Sequence, residues 1–159
     1  MKVAYLDCNA GISGNMFLGA LFDLGYPFEI FKEEIKKLTL PIPEFKLEKV
    51  SKEGITATWF DAKPAHEHQH RNLAQIINII VKAGYPQKVT NNAIECFQHL
   101  AEAEAKIHGV SVQEIHFHEV GAVDAIIDIL GACLGIEYFQ ISQLLASPIR
   151  VGFGTVKCA

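Results

Sequence analysis

The sequence lacks the features that direct a chain to a membrane or to nucleic acid. No apolar run approaches the roughly 18 residues of a membrane-spanning helix, and residues 2–7 resemble a strand rather than a secretion signal. The 14 Lys and Arg residues are scattered and are outnumbered by 18 Asp and Glu residues, which gives a net charge of −4. A protein without a basic patch has no electrostatic footprint for nucleic acid or an anionic membrane. We therefore expect no nucleic-acid or membrane partner.

Cysteine is also sparse and unpaired in the sequence. Cys8, Cys96, Cys133 and Cys158 lie far apart, and no C-x-x-C pair occurs. Cys96 and Cys133 fall within predicted helices, which argues against a disulfide framework. This pattern indicates a reducing compartment, and we expect a cytoplasmic protein.

Half of the 159 residues are hydrophobic, which is enough for a full core in one domain. Periodicity and capping signals predict helices over 15–24, 28–38, 73–82, 89–108 and 120–136. Alternation predicts a first strand over 2–7, a hairpin of 45–50 with 55–62, and a strand over 150–157. The fold class is therefore α/β or α+β, with a small mixed sheet packed by several helices. We expect the first strand to join the hairpin in that sheet.

The last predicted helix is apolar nearly all round except for two carboxylates. Asp124 and Asp128 share one stripe with Gly121, Gly131 and Gly135, because residues three, four and seven apart lie on one face. A buried carboxylate costs several kcal/mol, roughly, unless it meets a cation, a metal or hydrogen-bond donors. Asp124 and Asp128 are therefore candidate catalytic residues.

A purely structural role for this pair is an equal alternative. In that case the two carboxylates accept hydrogen bonds from loop amides or pair with Arg71 or Arg150.

Two histidine clusters are candidate metal sites. In each cluster alternate positions share one side of an extended segment, so their side chains can converge on one ion. Imidazole suits nickel, zinc, copper and iron, and affinity alone does not choose among them. The alternative is a solvated, histidine-rich loop, but two such clusters favour metal binding. The candidate ligands are His66, His68, His70, His116, His118 and Glu119.

The loop after the first strand is a candidate anion site. Gly11, Ser13 and Gly14 precede a predicted helix, whose first backbone N–H groups are free to bind an anion. In an equally weighted alternative, Ser13 only caps the helix and the glycines only shape the turn. Asp7 with Asn9 and Asn15 offers a third possibility, a divalent cation held by oxygen ligands.

Several of these motifs together resemble the N-terminal part of LarC-type nickel-insertion proteins. The matching stretches run in the same order from Tyr5 to Cys158, and the segment from 116 to 128 is the most specific. They are Asp7-Cys8, Gly11-Ile-Ser13-Gly14-Asn15-Met-Phe-Leu-Gly-Ala20, His70-Arg-Asn-Leu73, Ala103-Glu-Ala-Lys-Ile-His108-Gly109, His116-Phe-His118-Glu119-Val-Gly-Ala-Val-Asp124 and Arg150-Val-Gly-Phe-Gly-Thr-Val-Lys-Cys-Ala159.

The resemblance implies a nickel chelatase that acts on a pyridinium-3,5-bisthiocarboxylic acid mononucleotide. Its product is the nickel-pincer cofactor of lactate racemase, and the full-length protein consumes CTP with Mn or Mg. Residues 1–159 then form a single N-terminal domain, with 142–159 leading to a C-terminal region that supplies most of the nucleotide binding. Asn15 stands where the family usually has Asp, and Asn9-Ala10 replaces Phe-Ser, which weakens a cation site in this loop.

The roles expected from this resemblance divide the candidates into three sets. The histidine clusters with Glu119 deliver nickel, Asp124 and Asp128 position or deprotonate the acceptor, and Gly11, Ser13, Gly14 and Asn15 are the cofactor-binding residues. The expected partners are that small molecule, the C-terminal part and a second copy of the chain. Two alternatives remain open, namely a non-catalytic nickel metallochaperone or sequestering module, and a metal-dependent phosphohydrolase.

Overall fold

The computed structural model describes residues 1–63, 71–117, 121–150, 152, 154 and 155. This part contains five α-helices, which are α1 (Gly14–Asp23), α2 (Phe28–Ile35), α3 (Leu73–Lys82), α4 (Gln87–His108) and α5 (Val123–Tyr138). Its strands are β1 (Val3–Leu6), β2 (Glu44–Lys52), β3 (Ile55–Lys63), β4 (Arg71–Asn72), β5 (His116–Phe117) and β6 (Gln143–Ala146). The predicted mixed helix and strand class is confirmed.

Local signals set both ends of α3 and the end of α4 where the sequence predicted them, whereas α2 ends at Ile35 and not at residue 38. Asn72 caps α3 in a capping box with Gln75, since each side chain bonds the other residue's backbone N–H at 2.9 Å. Gly109 ends α4 in the left-handed conformation at φ 67°. The last helix begins at Val123 rather than at residue 120, so Gly121 lies in the preceding turn.

The predicted hairpin is confirmed, and its turn explains its register. Glu53 and Gly54 both have positive φ, at 52° and 82°, as a two-residue turn of the primed type requires. The turn pairs Lys52 with Ile55 and continues the antiparallel ladder to Glu44 and Lys63.

The prediction that the first strand joins this hairpin is wrong. β1 instead pairs in parallel with β6, from Val3 beside Gln143 to Leu6 beside Ala146. The ends of this pair are held by backbone bonds, because Ser142 N–H donates to the Lys2 carbonyl and Ser147 N–H donates to the Leu6 carbonyl, both at 2.9 Å. The described part therefore has three separate two-stranded sheets, β1–β6, β2–β3 and β4–β5.

The prediction of a strand over 150–157 is also wrong at the four positions of this range that the structure describes. Residues 150, 152, 154 and 155 are not in a strand. The strand in this part of the chain is β6, because its backbone finds a partner in β1 and extended conformation is stable only where the ladder is paired.

One apolar core joins the helices to the hairpin. Phe31, Phe97, Phe117, Ile126 and Leu130 are fully buried in it. Aromatic rings from α1, α2 and the hairpin meet edge to face, as Phe31 and Phe60 do at 5.5 Å between centroids. This cluster holds the hairpin against α1 and α2.

Glycines let α1 approach both α5 and the hairpin closely. A methyl group added at Gly131 would lie 2.9 Å from Leu18, and one at Gly135 would lie 2.5 Å from Leu21. On the hairpin side, a methyl group at Gly19 would lie 2.4 Å from the backbone oxygen of Thr58. The side chains and backbone of the neighbouring elements thus occupy the space left free by the missing Cβ atoms.

We predict that Gly19→Ala destabilises the fold by about 1–3 kcal/mol, despite the roughly 1 kcal/mol gain in helix propensity. The Thr58 carbonyl is backbone and cannot move away, whereas the Leu21 side chain beside Gly135 can turn. Gly135→Ala is therefore the matched control and should cost less. Urea denaturation of both variants measures this, and equal losses would contradict it.

Candidate functional site

The most unusual group in the described part is the carboxylate of Asp128, on α5. It lies against the first residue of α1, so that a methyl group added at Gly14 would lie 2.1 Å from its Oδ2. Its Oδ1 is shielded from solvent and has no hydrogen-bond partner among the described residues. Burial, with the nearby charges of Asp124 and Asp61, raises the pKa of Asp128 to about 6.

The expected cation opposite these carboxylates is missing from the described residues. Within them, neither Asp124 nor Asp128 forms an ion pair; Asp124 accepts a hydrogen bond from the Ala125 N–H at 2.8 Å. Arg71 is buried and donates from Nη1 to the Gly121 carbonyl at 2.9 Å, which ties β4 to the start of α5. The described contacts thus leave Asp128 without a partner.

Asp61 is a member of this group that sequence reasoning missed. It lies on β3 and accepts a hydrogen bond from Asn15 Nδ2 at 3.5 Å. Its charge acts on Asp128 from the hairpin side. The available signal was a carboxylate in the otherwise apolar run 59–62, but its proximity to α5 depends on how the hairpin packs.

Asp128 opens onto an apolar cleft of about 580 Å³ between the β1–β6 pair and helices α1, α4 and α5. Ligand pockets commonly have this size, with apolar walls and a few polar groups that fix orientation. Its lining residues are Leu6, Ile12, Ser13, Gly14, Phe17, Cys96, Ala125, Asp128, Ile129, Ala132, Cys133, Ile136 and Leu144. The cleft is the space in which a ligand would reach Asp128.

The loop before α1 has the capping geometry that the sequence offered as an alternative to anion binding. Ser13 Oγ accepts a hydrogen bond from the Met16 N–H at 3.3 Å, and Gly11 turns the chain at φ +83°. Ser13 and Gly14 nevertheless line the cleft. Capping and ligand contact are compatible here, because the Ser13 cap uses only one of the free N–H groups of the helix.

The predicted cation site in this loop lacks support. Asp7 and Asn9 are exposed, and Asn15 is directed to Asp61. Among residues 1–63, 71–117 and 121–150, no three His, Cys, Asp or Glu side chains are grouped so that they could hold a metal ion.

Most of the predicted nickel ligands lie outside the described residues, namely His66, His68, His70, His118 and Glu119. His116 is described, and it is exposed on β5 beside Asn72. The same antiparallel pair places Arg71 opposite Phe117. Arg71 follows one histidine cluster in the sequence, and Phe117 lies within the other.

Two cysteines in the lining of the cleft were not recognised as a pair from the sequence. Cys96 lies on α4 and Cys133 on α5, and both line the cleft as free thiols. A hydrogen bond between them lowers the pKa of Cys96 to about 7, and the same bond together with burial raises the pKa of Cys133. Their separation of 37 positions on different helices gives no local sequence signal.

Comparison with known proteins places these features in a family. The sequence model of the nickel insertion proteins matches residues 4–159. The chain belongs to the nickel insertion protein family. This confirms the resemblance drawn from the motifs between Tyr5 and Cys158.

Members of the nickel insertion family resemble this chain over its whole length. A pyridinium-3,5-bisthiocarboxylic acid mononucleotide nickel insertion protein from Desulfitobacterium hafniense is 47% identical over 159 residues, which is 100% of this chain and 40% of the relative. Proteins of the same name from Geobacillus kaustophilus and Clostridium kluyveri are 42% and 45% identical, with 41% and 43% of their lengths matched. The chain thus spans about 40% of the relatives' length. No solved structure matches it.

No helix in the described ranges of this nickel insertion family member is long and apolar enough to cross a membrane.

We predict that Asp128→Asn stabilises the chain by roughly 1–2 kcal/mol above pH 7, after allowance for the solvent-exposed part of the side chain. The folded pKa of about 6 exceeds the ordinary value of 3.8. Neutral Asp128 therefore makes its full contribution to the free energy of unfolding below pH 4, and this contribution is lost as the pH rises through 6. Urea denaturation at pH 4 and pH 7.5 measures the difference.

The exposed residue Asp7 supplies the control for this measurement. Asp7→Asn should change stability by less than about 0.5 kcal/mol at both pH values, as for other surface substitutions. An Asp128→Asn variant that is no more stable than the original chain at pH 7.5 would count against a strained carboxylate.

Proposed function

We propose that this chain is the part of a nickel insertion protein that holds the acceptor while nickel enters it. The acceptor is pyridinium-3,5-bisthiocarboxylic acid mononucleotide, as in the names of the relatives, and the product is the nickel-pincer cofactor of lactate racemase. The observation that carries this proposal is the unpartnered Asp128 carboxylate in the apolar cleft. On this view the protein is a nickel chelatase, and nickel is its substrate.

The cleft suits the ring of this acceptor. A pyridinium ring has apolar faces and a positive charge, so its faces can pack against residues such as Phe17 and Ile129 while its charge lies near Asp128. A cation beside a carboxylate in surroundings of low dielectric is more strongly attracted than in water. Binding of the ring would therefore supply the missing partner of Asp128.

Asp128 is also suited to accept a proton. Metal binding releases protons from the ligand groups that must be ionised, and a base is most effective when its pKa lies near the working pH. The pKa of about 6 makes Asp128 a better proton acceptor than an ordinary carboxylate, and it remains ionised at pH 7. In this mechanism Asp128 first pairs with the ring and then takes up the proton that an atom of the acceptor loses as its bond to hydrogen is replaced by a bond to nickel.

The N-terminus of α1 supports the phosphate of the mononucleotide in this proposal. Ser13 and Gly14 line the same cleft as Asp128, and the first N–H groups of a helix bind anions. The positive ring then lies toward Asp128, and the negative phosphate lies toward the loop at Gly11 and Ser13. Asn15 contributes through its bond to Asp61, which holds the hairpin carboxylate near α1.

Nickel delivery is assigned to the two histidine clusters and Glu119. Support comes from the β4–β5 pair, in which Arg71, directly after His70 in the sequence, lies opposite Phe117, which stands between His116 and His118 in the sequence. Exposed His116 is available to a metal ion from solvent. Neutral imidazole is a suitable ligand for nickel.

CTP and its Mn or Mg ion belong to the full-length protein in this proposal. The described residues do not fit the cation, because they contain no group of three His, Cys, Asp or Glu side chains that could hold one. We therefore assign the nucleotide and its cation to the region that the longer relatives possess. We also propose a cytoplasmic location, where thiols such as Cys96 stay reduced.

We predict that Asp128→Asn weakens binding of the mononucleotide to this chain at least tenfold at pH 7.5, about 1.4 kcal/mol, because the ring loses its counter-charge. Isothermal titration calorimetry without nickel measures the dissociation constant. The affinity of the original chain for the mononucleotide should also fall as the pH drops from 7.5 to 5, because Asp128 becomes protonated. The affinity of the Asp128→Asn variant should change less over the same pH range.

Glu102→Gln provides the matched control, since Glu102 is an exposed carboxylate on α4 away from the cleft. It should bind the mononucleotide like the original chain. If the Asp128→Asn variant binds the mononucleotide as tightly as the original chain does, the cleft is not the binding site.

For the nickel ligands, we predict that His116→Ala combined with His118→Ala lowers nickel affinity at least tenfold, about 1.4 kcal/mol. Equilibrium dialysis with metal analysis tests this on the folded chain, with and without CTP. His108→Ala, at the exposed end of α4, is the control and should not change the affinity. An unchanged dissociation constant in the double variant would exclude the pair as ligands.

A further inference from the structure

One face of the β1–β6 pair carries apolar side chains into solvent. Alternation along the parallel strands puts Val3, Tyr5, Gln143 and Leu145 on this side, which we call the outer face. Val3 is 47% exposed, Tyr5 64% and Leu145 44%. The opposite, inner face includes Leu6 and Leu144, which line the cleft above α1 and α5.

This arrangement is incomplete by the usual rules of parallel sheets. Parallel strands are covered on both faces in nearly all known proteins, because their connections lay helices on each side. A sheet of only two strands is also marginally stable. Within the described residues the helices lie on the inner face alone, where Leu144 is 43% exposed in the cleft, and each strand has an unpaired outer edge.

The longer relatives contain the polypeptide needed to complete it. More than half of each relative lies outside the match, which is to their N-terminal part. In such a chain the additional region is covalently tied to this domain, so its local concentration at the outer face is on the order of millimolar. A second copy of this domain is free in solution, so it would have to bind the outer face in competition with a region held there at that local concentration.

We propose that the outer face of β1–β6 is the docking surface for the C-terminal region of the nickel insertion protein, which supplies the missing layer over Val3, Tyr5 and Leu145. This docking proposal rests on the proposed function in one respect, because both require the C-terminal region as a partner of this domain. Its consequence for the cleft is direct, because Leu6 and Leu144 belong to the same two strands. Docking on the outer face would therefore fix the strand wall of the cleft that Asp128 also lines.

Site-specific labelling of a longer chain tests this surface. The C-terminal region of the Desulfitobacterium hafniense relative is joined after residue 159, and Tyr5→Cys and Leu145→Cys are made separately in this fusion and in the 159-residue chain. Ile55→Cys is the control, since Ile55 is 73% exposed at the hairpin turn, on a different sheet. Maleimide modification of each position is followed by peptide mass spectrometry, which separates it from native Cys96.

We expect modification at positions 5 and 145 to be at least tenfold slower in the fusion than in the short chain, with position 55 unchanged. Equal rates in the two chains would overturn the proposal. So would protection in the short chain that increases with its concentration, because a second copy would then be the occupant. The labelling contains no nickel, CTP or acceptor, so a failure of nickel insertion with protection intact counts against the proposed function alone.

Discussion

The close packing of α1 on α5 is the contact on which the candidate site depends. Glycines at 14, 131 and 135 leave no Cβ at the interface, so Asp128, Leu18 and Leu21 fill the space that the Cβ atoms would otherwise occupy. The same packing buries much of the Asp128 side chain and brings the N-terminus of α1 to its carboxylate. A wider helix pair would admit water to Asp128 and relieve its raised pKa.

The hairpin completes this environment from the other side of α1. Gly19 lets β3 approach the helix at the Thr58 carbonyl, and that approach brings Asp61 within electrostatic reach of Asp128. The carboxylates of Asp61, Asp124 and Asp128 then lie near one another in a partly buried region, and none of the described residues supplies a cation to Asp124 or Asp128. Such an arrangement is costly for an isolated fold and favourable for binding a positively charged ring, which is why we connect it with the pyridinium acceptor.

Some elements were predictable because their signals are local. The capping box at Asn72, the left-handed Gly109 and the Glu53-Gly54 turn each act within a few residues, and the helices and hairpin that they bound were predicted correctly. The partner of β1 was not predictable in this way. Its pairing with β6 joins residues about 140 positions apart, and two short apolar strands carry no pattern that selects one partner over another.

The sequence by itself determined the family, the number and order of the helices in the described part and the unusual carboxylate stripe at Asp124 and Asp128, because motifs and helical periodicity are properties of neighbouring residues. Only the tertiary structure decided that Asp61 joins Asp128, that Cys96 meets Cys133, and that Val3, Tyr5 and Leu145 on the outer face of β1–β6 are exposed. Each of these depends on elements distant in the chain being brought together by core packing. The free energy of that packing is shared among many weak contacts and is not encoded in any one segment.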